Sequence, residues 1–427
     1  MKKITLPPTI DWATLTERPA AEKATLEVLV KEIFDAVRTK KDEAVLTYGE
    51  KFDKVKLNSL EVNKEDLSNA KNLISENLKA AINIAKNNIE KFHLAQVQEK
   101  QIVETAKGVT CWRESRGIEK VGIYIPGGSA PLFSTILMLG IPATIAGCIE
   151  IILCTPPDKD GNVNPAILYT ANLLGIKKVY KVGGIQAIAA LTFGTETIPS
   201  VYKIFGPGNQ FVTAAKQMAL NFGVAIDMPA GPSEVLVIAD KNSNAAFVAA
   251  DLLSQAEHGA DSQVILLAND ENIINKTLAE INIQVEQLPR KEIALQALQN
   301  SKAILLKDIY ECISFSNCYA PEHLILNIEN AANYTNKIIN AGSVFIGAYS
   351  CESLGDYASG TNHTLPTNGY ARNYSGVSLD SFVKKITFQS ITKEGLENIG
   401  NAVELMAEAE GLEAHRNAVS IRLQTTT

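Results

Sequence analysis

The stretch VGIYIPGGSAPLFSTILMLGIPA, Val121 to Ala143, holds a strand, a glycine turn and a helix in one run. The β-branched segment Val121–Ile125 predicts a strand. Pro126-Gly127-Gly128 breaks the chain, and the apolar run that follows predicts a packed helix. No charged residue occurs between Lys120 and Glu150. A membrane span is the competing reading, but Pro126, Gly127, Gly128, Pro131, Gly140, Pro142 and Gly147 punctuate the run. Lipid offers no water to satisfy a backbone broken that often, so a buried strand, loop and helix is the better account.

The same unit recurs on both sides. Ile149–Cys154 reads as a strand, Ala166–Leu174 as a helix stopped by Gly175, and Lys178–Val182 as a strand leading into Gly183-Gly184 and an Ala-rich helix. Val201–Phe205 is a strand before Gly206-Pro207-Gly208-Asn209. Val235–Ala239, Gln263–Ala268 and Ala303–Leu306 read as further strands, with a helix over Asn244–His258. Strands alternating with helices predict an α/β protein with parallel sheets, here in two modules. Upstream, Leu78, Ala81, Ile82, Ala85, Ile89 and Phe92 keep the i, i+3, i+4 spacing of an amphipathic helix. His93, beside that stripe, is expected at the surface or half-packed. Downstream, Glu394–Ala409 and Leu412–Leu423 predict a helical tail.

Length and composition narrow the partners. A chain of 427 residues suggests two or three domains, and 46% hydrophobic with 20% charged residues is ordinary for a globular protein. Lys and Arg number 40 against 47 Asp and Glu, a formal charge of −7, so neither nucleic acid nor an anionic membrane is a default partner. Six cysteines without a CxxC pair point to reduced thiols and a cytoplasmic protein. The start, MKKITLPPTIDWATL, lacks the apolar core of a signal peptide.

Four histidines sit in chemically dense contexts. In Ser254-Gln255-Ala256-Glu257-His258-Gly259, Gln255 and His258 are three apart on a predicted helix. An amide oxygen and an imidazole on one face suit a borderline metal such as zinc, although two exposed polar residues near a helix end would look the same. Glu322-His323, after Pro321, is either a helix start or a pair of proton carriers with different intrinsic pKa values. Gly355 to His363, GDYASGTNH, reads as a loop whose polar groups can converge on a small polar ligand. Glu410 to His415 reads as a terminal helix with a surface histidine or a site residue. The glycine turns match neither GxGxxG nor GxxxxGK[ST], so they permit a dinucleotide without requiring one.

Taken together, GIYIPGGSAPLFSTILMLGIPA, KVGGIQAIAAL, FGPGNQFVTAAK, IDMPAGPSEVLVIAD, DLLSQAEHG, YAPEHL, GDYASGTNHTLPT and AEGLEAHRNAV resemble the histidinol dehydrogenase family, in family order from roughly Ile123 to Val419. The resemblance implies two incomplete Rossmann-like α/β domains with parallel sheets, small N-terminal and C-terminal helical pieces, and an intertwined homodimer. It implies an N-terminal arm over 1–22, a first domain from 23–122 and 233–375, a second over 123–232 on the NAD side, and a tail over 376–427 that completes the partner's site. Gln255, His258, Asp356 and His415 resemble the ligands of one zinc per subunit, and Glu322 and His323 the acid–base pair. Ser233, His363 and Glu410, with the zinc ligands and His323, resemble substrate contacts. Tyr124, Gln186 and Asn209 resemble NAD⁺ contacts. The implied reaction is the four-electron oxidation of L-histidinol to L-histidine through the aldehyde, with two NAD⁺. From the residues alone, a zinc-dependent hydrolase using Glu322-His323 to activate water is an equal alternative.

Overall fold

The computed structural model describes residues 1–18, 23–127 and 131–425. Gly128 of the glycine turn, residues 19–22 of the expected arm and the last two residues lie outside the described residues. The strands, in chain order, are β1 (Lys2–Thr5), β2 (Ile102–Ala106), β3 (Val109–Gly117), β4 (Lys120–Tyr124), β5 (Glu150–Thr155), β6 (Lys178–Lys181) and β7 (Lys203–Phe205). They continue with β8 (Ala225–Ile226), β9 (Glu234–Ala239), β10 (Gln263–Ala268), β11 (Lys302–Leu305), β12 (His323–Asn327), β13 (Ser343–Ile346) and β14 (Val383–Ile391).

A six-stranded sheet runs β1-β11-β10-β9-β12-β13, wholly parallel. A five-stranded sheet runs β6-β5-β4-β7-β8, also parallel. The third sheet, β14-β3-β2, is antiparallel. Counted from β9 and from β4, both parallel sheets have the order 3-2-1-4-5, and each reverses direction beside its first strand. Every residue of β9, β10 and β12 is buried, because helices cover both faces of a parallel sheet. This explains why VLVIA and VILLA read as unbroken apolar runs rather than alternating ones.

The charge-free stretch resolves into β4 and the helix Phe133–Ile145. No helix among the described residues is long and apolar enough to cross a membrane. All six cysteines are free.

Five expectations are corrected. The N-terminal piece is not only helical: Lys2–Thr5 adds a parallel strand beside β11. The C-terminal piece begins with strand β14, whose Phe388 pairs with Trp112 of β3 and stacks on it at 5.4 Å, a cross-strand contact the helical reading missed. His93 is fully buried, its Nδ1–H donating to the Ile89 carbonyl at 2.9 Å. The apolar face of helix Glu76–Leu94 is Ile82, Ala85, Ile89 and His93, so Phe92 turns to solvent. The helical stretch Lys23–Asp53 packs on the helices Gly184–Phe193 and Gln210–Leu220, where Val30, Ile33, Phe34 and Val37 share a core with Tyr124 and Leu191. That segment therefore covers the five-stranded sheet, not the six-stranded one with which it was grouped.

The arm is tied to the larger sheet by charge. Arg18 donates to both oxygens of Glu234 at 2.9 and 3.0 Å and to the Tyr319 carbonyl at 2.7 Å, and its guanidinium lies 3.8 Å over the Tyr319 ring. Glu234 is 1% exposed. Removing one partner of a buried pair leaves the other uncompensated, so Arg18→Ala is expected to cost about 3–5 kcal/mol. Urea unfolding checks this; an unchanged midpoint would show that the arm does not stabilise the sheet.

Candidate active site

The catalytic candidates stand where β9 and β12 begin. Helix Ile309–Tyr319 ends in Ala320, which takes the left-handed conformation (φ 55°), and Pro321 then directs the chain outward into β12. Glu322-His323 is thus a strand entry and not a helix start. Two backbone groups of Glu234 hold the pair. Its N–H donates to Glu322 Oε2 at 2.8 Å, and its carbonyl lies 3.1 Å from His323 Nδ1. A carbonyl only accepts, so Nδ1 carries a hydrogen, and in the neutral ring the lone pair falls on Nε2.

Polar groups gather on both sides of the ring. Asp356 Oδ1 is 3.4 Å from His323 Nε2, and Gln255 Nε2 is 2.9 Å from His323 Nδ1. Asp356 belongs to the short helix Glu352–Tyr357, so the expected loop starts only after Tyr357. Gln255 lies in the last turn of helix Ala245–Ala256, and His258 falls beyond its end, exposed in the following turn. The two were expected on one helical face. His258 nevertheless acts electrostatically on Asp356, as do His323 and His363. Gln255 Oε1, His323 Nε2 and Asp356 Oδ1 are all buried without a hydrogen-bond partner. Buried polar atoms are nearly always paired, so three such atoms in one neighbourhood are available to a ligand.

Burial, the largest influence, lowers the His323 imidazole's pKa, but Glu322 and Asp356 together outweigh it and hold it well above the usual value. The chain alone therefore favours a charged His323 over the neutral base expected near pH 7. Burial would raise the Asp356 carboxyl, yet His323, His363 and His258 keep it low. Burial pushes Glu352 up to about 8.

The remaining assigned residues divide. Ser233 is half-buried immediately before Glu234. His363 has both ring nitrogens engaged: Nδ1–H donates to the Asp356 carbonyl at 2.7 Å, and Nε2 accepts from Thr135 Oγ1 at 2.9 Å. Glu410 and His415 are exposed on the C-terminal hairpin of helices Lys393–Ala409 and Glu413–Gln424, and neither side chain bonds to the site within the chain. Accordingly, no group of three His, Cys, Asp or Glu side chains forms a metal cluster among the described residues. Glu352 escaped the sequence reading, although its i, i+4 spacing to Asp356 on a short helix was a usable signal.

A second opening lies outside the C-terminal ends of β4, β5 and β7. Tyr124, Gln186 and Asn209 all line this cavity of about 630 Å³. Gln186 is fully buried with both amide atoms unpartnered. Gly184 N–H donates to Tyr124 Oη at 3.1 Å, and burial pushes that phenol up to about 12. Asn209 Oδ1 caps helix Gln210–Leu220 by accepting from Phe211 and Val212 N–H, leaving its NH₂ for a ligand. Gly206, at φ +130°, passes so close to the Tyr124 carbonyl that an added Cβ would stand 2.1 Å from it. Lys216 and Asp227, a buried ion pair, bond to the Gly206 carbonyl and N–H at 2.8 Å each and pin this turn.

Fold and site together define an α/β enzyme with a buried Glu–His pair beside a set of unpaired metal-type donors and a separate cavity at parallel strand ends. A family model described as histidinol dehydrogenase matches residues 16–423. Histidinol dehydrogenase of Bacteroides thetaiotaomicron is 58% identical over 425 residues, covering 100% of this chain and 99% of that protein. The chloroplastic histidinol dehydrogenase of Arabidopsis thaliana is 53% identical over 96% of this chain and 88% of that protein. The crystal structure of histidinol dehydrogenase from Elizabethkingia anophelis superposes with a TM-score of 0.98 at 64% identity, covering 100% of this chain and 98% of that one. The chain belongs to the histidinol dehydrogenase family.

Because His363 ties the Asp356 backbone to helix Phe133–Ile145, His363→Ala is expected to weaken divalent-metal binding roughly tenfold or more. Thr135→Val, which leaves the bond to Asp356 in place, is expected to weaken it less. Competition with a chromogenic chelator measures both; equal affinities for wild type and His363→Ala would refute this role.

Proposed function

We propose that this protein oxidises L-histidinol to L-histidine, the closing chemistry of histidine biosynthesis, in two successive two-electron steps with NAD⁺ as acceptor. The observation that carries the reading is the convergence of three unpartnered buried atoms, on Gln255, His323 and Asp356, beside Glu322. An amide oxygen, a carboxylate oxygen and the nearby His258 are a donor set that fits zinc. Gln255, His258 and Asp356 would hold it, with His415 of the partner subunit. When bound, zinc supplies a charge that chelates the substrate's imidazole and amine and offsets Asp356, so that His323 can be neutral near pH 7.

The chain's own groups then have defined tasks. His323 Nε2 takes the hydroxyl proton as hydride leaves the carbinol carbon. Glu322, oriented by the Glu234 N–H, removes a proton from the water that attacks the aldehyde, and His323 returns its proton to the aldehyde oxygen, which completes the hydrate and restores the neutral ring. His323 takes the proton of the resulting hydrate as the second hydride leaves. Ser233 and Glu410 of the partner subunit contact substrate, and His363 borders it while fixing Asp356.

The core order 3-2-1-4-5 in both parallel sheets, with β1 added outside β11 in the larger one, supports two incomplete Rossmann-like domains, each lacking the strand at position six of the dinucleotide-binding order. Tyr124, Gln186 and Asn209 would receive NAD⁺ in the cavity of the five-stranded sheet. Among the described residues lining it are Asp53 and Asp158 and neither Lys nor Arg. Pyrophosphate charge would be met by the N-termini of helices Gly184–Phe193 and Gln210–Leu220, while a 2′-phosphate would face carboxylates. NAD⁺ is therefore favoured over NADP⁺.

Exposed Val403, Leu405, Met406, Leu412 and Ile421 on the C-terminal hairpin support a homodimer in which a second copy covers them. Each tail then completes the partner's site.

The deciding experiment adds histidinol, NAD⁺ and zinc and follows NADH. Two NADH per substrate are expected; a flat trace from folded, metal-loaded protein would favour the zinc hydrolase instead. His323→Ala is expected to lose roughly 10²–10⁴ in kcat while keeping its zinc, whereas Gln255→Ala should lose zinc itself. Mixing inactive His415→Ala and His323→Ala chains should restore activity through hybrid dimers. No recovery after verified subunit exchange would refute the shared site.

A further inference from the structure

An amide offers its oxygen to a metal only if its two ends are held the right way round, and the neighbours of its nitrogen decide this. Gln255 is 1% exposed, and its Nε2 lies 3.2 Å from Glu352 Oε2 and 2.9 Å from His323 Nδ1. These neighbours make opposite demands. Glu352 Oε2, in the ionised group or as the carbonyl oxygen of the acid, accepts and asks for the NH₂ group. His323 Nδ1 is committed as a donor by the Glu234 carbonyl at 3.1 Å, so it asks for the amide oxygen. His323 thus works against the orientation that leaves Gln255 Oε1 unpartnered for a metal, and Glu352 works for it.

Glu352 is itself fixed. It is 1% exposed, and its Oε1 is hydrogen-bonded to Ser254 Oγ at 2.8 Å, on the residue adjoining Gln255. It opens the short helix whose next turn presents Asp356. We infer that Glu352 is a positioning residue that holds the Gln255 amide with its oxygen toward the metal and links that ligand to Asp356. The inference rests on the zinc reading above and concerns a residue that this reading does not use.

The test is a double-mutant cycle read as zinc affinity by chelator competition, with the visible spectrum of the cobalt-substituted protein as a second readout. Glu352→Leu, which accepts no hydrogen bond, is expected to weaken zinc binding by roughly 10–100-fold and to alter the cobalt spectrum. Glu352→Gln, which can still accept from the Gln255 NH₂, should recover most of the loss. In a Gln255→Glu background the ligand has two equivalent oxygens and no wrong way round, so Glu352→Leu should cost nothing there. Unchanged affinity in Glu352→Leu, or an equal loss in both backgrounds, overturns the inference while leaving the zinc reading intact. Failure of the wild-type protein itself to bind zinc would overturn both, and that outcome is seen before any variant is made.

Discussion

The first residue of β9 carries the architecture of the site. Glu234 N–H orients the Glu322 carboxylate, its carbonyl selects the His323 tautomer, and its own carboxylate is gripped by Arg18 and by the Asn368 N–H at 2.8 Å. Three distant segments, the N-terminal arm, the entry to β12 and the loop after His363, thus meet on one buried residue. A carboxylate can be buried there only because a guanidinium comes with it, since desolvating an unpaired charge is far too costly. The side chain neutralises, and the backbone positions.

The two parallel sheets share an order and put their functional residues at opposite ends. In the five-stranded sheet the cavity lies outside the C-terminal ends of the strands, next to the point where strand order reverses, as open α/β sheets ordinarily place ligands. In the six-stranded sheet Glu322 and His323 stand at the N-terminal end of β12, facing the start of β9. Helix Ala245–Ala256 runs back against the strands, so its last turn delivers Gln255 to that same N-terminal edge. The bridge between the two openings is the segment after Asp356, where Asn362 Nδ2–H donates to the Met138 carbonyl at 2.6 Å and His363 meets Thr135. Both contacts fall on the helix that follows β4, so the segment after Asp356 is tied to the layer that covers the five-stranded sheet.

Charge is the second organising constraint. Glu234, Glu322, Glu352 and Asp356 are drawn into one buried neighbourhood with Arg18 and His323 as the cationic partners. Acceptors outnumber donors there, which is why His323 is held charged in the isolated chain and why Gln255 Oε1 and Asp356 Oδ1 lack partners. A site with this surplus suits a cation and an amine-bearing substrate far better than an anion.

The α/β class, the strands of the five-stranded sheet from β4 to β7, and β9, β10 and β11 of the larger sheet were legible because each rests on local chemistry: β-branched runs, caps and φ-permissive glycines. The candidate residues stood out as motifs, through GDYASGTNH and YAPEHL, but not as an arrangement. Nothing local says that Pro321 leads into a strand, that His258 lies past the end of its helix, or that Lys2–Thr5 pairs with β11 some 300 residues away. Nor does spacing reveal that His363 spends both nitrogens on the chain itself, or that Glu352 stands behind Gln255. Those facts depend on which segments become neighbours, and that is fixed by burying apolar surface over the whole chain, a global condition that short-range sequence patterns do not encode.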